Sequence, residues 1–190
     1  MGSGFTSLSP GPLYLVETRE WDGDVARITI DTAGLSAAPF QLGLPEGWAA
    51  LDRGDTAATG KVIKAMEARL EQVRADTSSE LGSIVNNMEI MQRELKAMLL
   101  VKAGKTDDGL ALLRQAAAQE DTVPYDFGPP ETIKPPKELL GEMLLAAGKA
   151  AEAKVAFEQS LARTPRRPAS LIGLASAATK TGIPKRRRPR

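Results

Sequence analysis

The segment from Glu138 to Pro165 constrains the fold more than any other part of the sequence. Its apolar residues recur every three or four positions on both sides of Gly148, so each half has one apolar helical face. These residues are Leu140, Leu144 and Leu145 before the glycine, and Ala153, Phe157 and Leu161 after it. The pattern predicts two amphipathic helices that fold back on each other at Gly148, with Pro165 ending the second.

The segment resembles a tetratricopeptide repeat, a helix-turn-helix unit of about 34 residues. The residues that match this family are Leu140, Gly141, Gly148, Ala153, Phe157 and Pro165. Adding the repeat length of 34 to the positions of Leu140, Gly141 and Gly148 gives Leu174, Ala175 and Gly182. These are again a large apolar residue, a small residue and a glycine suited to a turn. The resemblance implies an all-α fold, a solenoid of antiparallel helix pairs, as in bacterial repeat proteins of no established specific function. It also implies binding to other proteins.

Earlier helix pairs are predicted around Gly54 and Gly104. Helices are expected over 48–53 and 56–74, and again over 81–103 and 107–119, with Asp55 or Thr56 capping the second of these four. The turn glycines 54, 104, 148 and 182 are 50, 44 and 34 residues apart, so the repeats are irregular. Residues 13–21 are predicted to end one helix and Trp21 to begin the next, just past the turn of a worn early repeat. Residues 28–45 are predicted to be a connector because glycine and proline interrupt any helical pattern there.

Composition excludes several kinds of chemistry. The 190 residues include no Cys and no His, which excludes thiolate or imidazole zinc sites, disulfides, cysteine nucleophiles and a histidine general base. The stretch 54–62 differs from a phosphate-binding loop, because five residues separate its glycines and Val62 follows the lysine. The sequence therefore predicts no enzyme, no cofactor and no metal.

The resemblance also implies a partner-binding groove, lined by the first helix of each repeat. Carried over position by position, its residues are Glu138, Glu142, Leu145 and Ala146 in the matched unit, and Ile172, Ser176, Thr179 and Lys180 in the last half-repeat. The preceding unit supplies Glu94, Met98 and Lys102. Glu138 and Glu142 are four residues apart, so both carboxylates could meet a basic group on a partner, or could simply belong to a solvated face.

The ends of the chain differ from its body. Residues 1–12 are expected to be a tag or a disordered N-terminus, 13–183 the repeat domain, and 184–190 a basic tail. The last six residues hold five of the 25 basic residues, and the other 20 face 24 acidic ones, leaving a net charge of −4. We expect the tail to be solvated rather than to bind nucleic acid, and we expect no membrane span. A soluble, cytoplasmic protein is favoured, although a leader could have been removed.

Two functions remain open. One is a non-catalytic scaffold that binds an unknown protein or peptide in its groove. The other is a structural protein that forms a homodimer through an open apolar edge at Leu174 and Ala178, since a repeat stack ends in a cap or a partner.

Overall fold

The computed structural model describes residues 10–32, 37–75, 82–123 and 132–182. These residues form eight α-helices and one 3-10 helix, and none of them belongs to a β-strand. The prediction of an all-α fold is thus confirmed for this part of the chain. Residues 1–9 of the predicted tag, residues 76–81 and the predicted tail at 184–190 lie outside the described residues, whereas Gly11 and Pro12, which the predicted tag also included, are helical. No helix among the described residues is both long and apolar enough to cross a bilayer.

The chain divides into two compact units, Met1–Lys134 and Pro135–Arg190. The helices of unit 1 are α1 (Gly11–Thr18), the 3-10 helix η1 (Asp24–Arg27), α2 (Ala38–Asp52), α3 (Thr56–Ala75), α4 (Gly82–Lys102) and α5 (Thr106–Glu120). Those of unit 2 are α6 (Pro136–Ala146), α7 (Ala150–Arg163) and α8 (Pro168–Gly182).

Three helix pairs, α2–α3, α4–α5 and α6–α7, are joined by the same three-residue turn. Its central residues Gly54, Gly104 and Gly148 have φ values of +83°, +79° and +75°, a left-handed conformation that glycine adopts without steric cost. The residue after each glycine donates its N–H to the carbonyl oxygen five residues earlier, at 2.8–2.9 Å. The predicted turns at these three glycines are therefore confirmed, as is the cap, since Asp55 Oδ1 accepts the N–H of Ala58 at 2.8 Å.

The predicted turn at Gly182 is wrong. Gly182 is the last residue of α8 and is not among the glycines of positive φ. A glycine near a helix end costs only about 1 kcal/mol relative to alanine, so it need not break the helix.

The prediction of a connector over 28–45 is confirmed for residues 28–32, which are not helical, and is wrong from Ala38 onward. Trp21 lies in a turn after Arg19, whose φ of +58° ends α1, and no α-helix begins there. The helix α2 begins at Ala38, inside the predicted connector, and Pro45 lies within it. Burial explains this, because Phe40, Leu44 and Trp48 are at most 3% exposed. They share one helical face, and packing that face outweighs the cost of an internal proline, about 3 kcal/mol.

In unit 1, α4 packs against α2, α3 and α5. Glycines on α2 and α5 allow these two helices to approach α4 closely. A Cβ at Gly47 of α2 would lie 2.4 Å from a methyl carbon of Leu95, and one at Gly109 of α5 would lie 2.6 Å from Val101. Helix α4, which the sequence predicted over 81–103, contributes Met88, Met91 and Leu95 to the core of this unit, and all three are fully buried.

In unit 2, the Phe157 ring of α7 lies against glycines of both neighbouring helices. A Cβ at Gly141 of α6 would be 2.8 Å from the ring, and one at Gly173 of α8 would be 2.3 Å from it. The 34-residue offset predicts that Ala175 is the small residue of α8 at this contact, but Ala175 is exposed. The small residue that contacts Phe157 therefore comes 32 positions after Gly141, which corrects the predicted register by two residues.

Candidate partner-binding surfaces

The structure separates the predicted groove residues by exposure. Glu94 and Glu138 are completely buried and Met98 is 4% exposed, so these three have almost no surface for a partner. Glu142 and Leu145 are half-buried, and the exposed members of the set are Ala146, Lys102, Ile172, Ser176, Thr179 and Lys180. The groove itself stays a prediction, and only these eight residues of it are accessible.

The buried Glu138 carboxylate is hydrogen-bonded to other residues of unit 2. Its Oε2 accepts hydrogen bonds from Arg167 Nε at 2.8 Å and from Ser170 Oγ at 2.5 Å. Ser170 Oγ also lies 3.0 Å from Ser160 Oγ of α7. The basic group predicted to come from a partner is thus supplied to Glu138 by the chain itself. The network joins all three helices of the unit, and charged hydrogen bonds of this kind are among the strong ones.

The outward face of α8 is apolar. Leu171 is 48% exposed, Leu174 is half-buried, and Ala175 and Ala178 are exposed. Their spacing of three and four residues puts them on one stripe, and Ile172 borders it at 69% exposure. We call these five residues the α8 face. It includes the edge at Leu174 and Ala178 that the sequence predicted to be open.

A cavity of about 330 Å³ lies in unit 1 between α1, η1, the segment that follows η1 and α2. Its walls are mostly apolar and include Leu15, Trp21, Ile28, Ile30, Leu42 and Ala49. Two charged residues, Glu46 and Arg53, also line it. This N-terminal cavity is not predicted from the sequence, because a connector over 28–45 would leave it without the wall that α2 supplies. The alternation of Ile28 and Ile30 was the signal that could have indicated it.

Polar bonds hold the N-terminal wall of the cavity to the end of α2. Trp21 Nε1 donates to Asp52 Oδ2 at 2.8 Å, and Arg53 pairs with Asp22 at 2.6 Å. Both bonds are exposed, so each contributes modestly, about 0–1 kcal/mol for the ion pair. They fix the position of Trp21 at the cavity.

Trp48 of α2 lies close to Trp21, and these two are the tryptophans of the chain. Its ring is 6.4 Å from that of Trp21, and the Arg19 guanidinium lies 4.8 Å from its centroid. Lys134 Nζ is 6.0 Å from the same centroid. A cation over an indole ring is an attractive contact. Trp21 lines the cavity, whereas Trp48 is buried and does not line it.

A second polar network joins α3, α4 and α5 around Glu89. Arg74 donates to one carboxylate oxygen of Glu89, and Gln119 Nε2 donates to the other at 2.5 Å. Burial raises the pKa of Glu89, but the hydrogen bonds from Arg74 and Gln119 and the charges of Arg74 and Arg93 outweigh it, so the net pKa lies below its usual value. The same pairing is the main reason that the pKa of Arg74 is raised. The stability that this network contributes therefore depends on pH.

Within the described ranges, no group of three or more acidic, cysteine or histidine residues is placed to hold a metal ion. Comparison of the chain with protein-family models, with curated proteins and with solved structures finds no match.

Proposed function

We propose that this chain is a non-catalytic protein-interaction module, built of tetratricopeptide-like helix pairs, that binds an amphipathic helix of another protein. The α8 face carries the proposal. Contiguous exposed apolar side chains on one stripe are typical of interaction surfaces, because isolated exposed residues are common but continuous stripes are not. Ile172 at 69% and Leu171 at 48% are two of the three exposed large apolar residues in the described part of unit 2, and the third is Val155 of α7 at 51%.

The helix packing supports the repeat-like part of the proposal. The Phe157 ring contacts a glycine on the helix before it and a glycine on the helix after it. This is the arrangement expected when a helix pair is followed by the first helix of another pair. The identical turns at Gly54, Gly104 and Gly148 also favour a repeated unit.

The alternative function is self-association through the same face. The stripe Leu171, Leu174, Ala175 and Ala178 has the spacing with which two helices pack against each other, so a second copy of α8 could cover it. In that case the face would be buried in a homodimer and would bind no other protein.

Light scattering over a range of protein concentrations separates the two functions. Leu171→Glu places a charge in the α8 face, and Val155→Glu is the matched control because Val155 is 51% exposed on α7. A dimer that Leu171→Glu dissociates, and Val155→Glu does not, would establish the alternative. A dimer affected only by Val155→Glu would place the interface elsewhere.

A monomer would leave the face open to another protein. The probe is then a labelled synthetic amphipathic helix with a leucine-alanine stripe, followed by fluorescence anisotropy. The proposal expects saturable binding that Leu171→Glu weakens at least about tenfold, since a charge would be buried unpaired. Binding that is equal in both variants, or absent, would refute it.

A further inference from the structure

We propose that the N-terminal cavity of unit 1 is a second docking site, which takes an extended basic peptide. One apolar side chain of the peptide occupies the cavity, and a Lys or Arg next to it pairs with Glu46. The site is independent of the α8 face, and the proposal does not rest on the function proposed above.

The size and walls of the cavity suit a peptide side chain. Its volume of about 330 Å³ is at the small end of the range for ligand pockets, too small for a large cofactor. Ile28, which lines it, is 60% exposed, and Leu13 and Tyr14 of the adjoining α1 are 37% and 40% exposed. Half of the exposed large apolar residues in the described part of the chain thus belong to this end of unit 1.

The backbone beside the cavity can bind an extended chain. Ile28 is extended, with φ −70° and ψ 119°, and Ile30 and Thr32 are less exposed than Asp31 between them, as in a strand. The backbone groups of Thr29 and Ile30 make no hydrogen bond with another described residue. Such groups can pair with a peptide that adds alongside as a strand, while its side chain enters the neighbouring pocket.

The charge of this region selects a basic peptide. Residues 10–53 carry seven acidic and three basic side chains. All three basic groups are engaged, since Arg27 pairs with Asp24 at 3.2 Å, Arg53 pairs with an aspartate, and Arg19 lies over a tryptophan ring. A positively charged peptide is therefore attracted to this surface, and an acidic one is repelled.

Glu46 fixes where the positive charge of the peptide lies. Its side chain is exposed on α2, lines the cavity, and forms no hydrogen bond or ion pair with any described residue. A lysine or arginine next to the apolar residue of the peptide would reach it. The pairing is at the surface, so it contributes selectivity more than affinity.

The probe is a short labelled peptide with one isoleucine between lysines, blocked at both ends, and titrated into the full chain. Fluorescence anisotropy measures binding, and quenching or shift of tryptophan emission places the peptide near Trp21 and Trp48. Two control peptides replace the isoleucine with serine or the lysines with glutamate. We expect saturable binding of the first peptide only, weakened by added salt.

Three variants at two positions test the residues of the site. Glu46→Gln is expected to weaken binding about threefold and Glu46→Lys about tenfold, because an exposed ion pair is lost or reversed. Ala49→Phe fills the cavity and is expected to abolish binding; circular dichroism checks that it folds, and the Glu46 variants test the site if it does not. Asp108→Asn is the matched control, an exposed acid on α5 that does not line the cavity.

The proposal is overturned if the peptide does not bind, if the serine or glutamate peptide binds equally well, or if Glu46→Lys leaves affinity unchanged. Leu171→Glu should not affect this peptide. Loss of peptide binding in that variant would instead show that the peptide binds at the α8 face, and would also overturn the proposal.

Discussion

Gly173→Ala tests the packing around Phe157 most directly. The added Cβ would lie 2.3, 2.4 and 2.7 Å from three carbons of the ring, whereas ordinary contacts are at least 3.4 Å. The ring cannot simply move away, because Gly141 lies against it on α6. Helix α8 would have to shift by about 1 Å, and overpacking of this kind costs about 1–3 kcal/mol. Because the overlap is severe, we take an overpacking cost of about 3 kcal/mol. The better helix propensity of alanine offsets about 1 kcal/mol of this cost, so the expected net loss of stability is about 2 kcal/mol.

Gly60→Ala is the matched control for this prediction. Gly60 is inside α3, and an added Cβ would meet nothing within 4 Å. The same substitution should therefore stabilise the protein there, by up to about 1 kcal/mol. Urea denaturation followed by circular dichroism measures both free energies of unfolding. Hydrogen exchange of the amides of α7 and α8 locates the loss. A Gly173→Ala variant as stable as the wild type would refute the packing argument.

A compensating substitution sharpens the test. Phe157→Leu removes ring atoms and should itself cost about 1–2 kcal/mol. If the ring is the obstacle, the double variant Gly173→Ala with Phe157→Leu should be more stable than the two single losses together predict. Simple additivity would show that the cost of Gly173→Ala arises from another contact.

Two further predictions concern the polar networks. The pKa of Glu89 is depressed in the folded state, so the stability it contributes is present above the unfolded value near 4.5 and is lost as pH falls through the folded value. The advantage of the wild type over Glu89→Gln should therefore be seen in urea denaturation at neutral pH and vanish in acid; an advantage that persists in acid would contradict this. Arg167→Met removes a charged donor from the buried Glu138 and should cost about 3 kcal/mol, at the low end for a broken buried pair because Arg167 is 17% exposed. Thermal unfolding measures it, and Glu138→Gln in the same chain should recover part of the loss, whereas no recovery would place the cost elsewhere.

The helix pairs could be predicted from the sequence because their determinants are local. A glycine between two amphipathic runs specifies a turn within a few residues, and Gly54, Gly104 and Gly148 all adopt it. The helix predicted over 81–103 was equally clear, since helical periodicity over about 20 residues is a strong signal.

The features that the sequence did not predict depend on contacts between secondary-structure elements. Pro45 suggested a break, and only the burial of Phe40 and Trp48 in the folded unit makes α2 continuous through it. Gly173 rather than Ala175 packs on Phe157, because the connection before α8 sets the register and a fixed offset of 34 cannot follow it. The N-terminal cavity arises where four successive segments between Gly11 and Arg53 meet, and no periodic pattern encodes such a meeting.

The three identical turns have a consequence for how the chain folds. Each joins its two helices through only three residues, so the entropy lost in bringing them together is small. Pairing between such neighbours needs no distant part of the chain, and proteins dominated by short-range contacts fold fast. Each hairpin can then act as a nucleus, and the lengths of the segments between hairpins, which differ along this chain, have little effect on the rate at which any one of them closes.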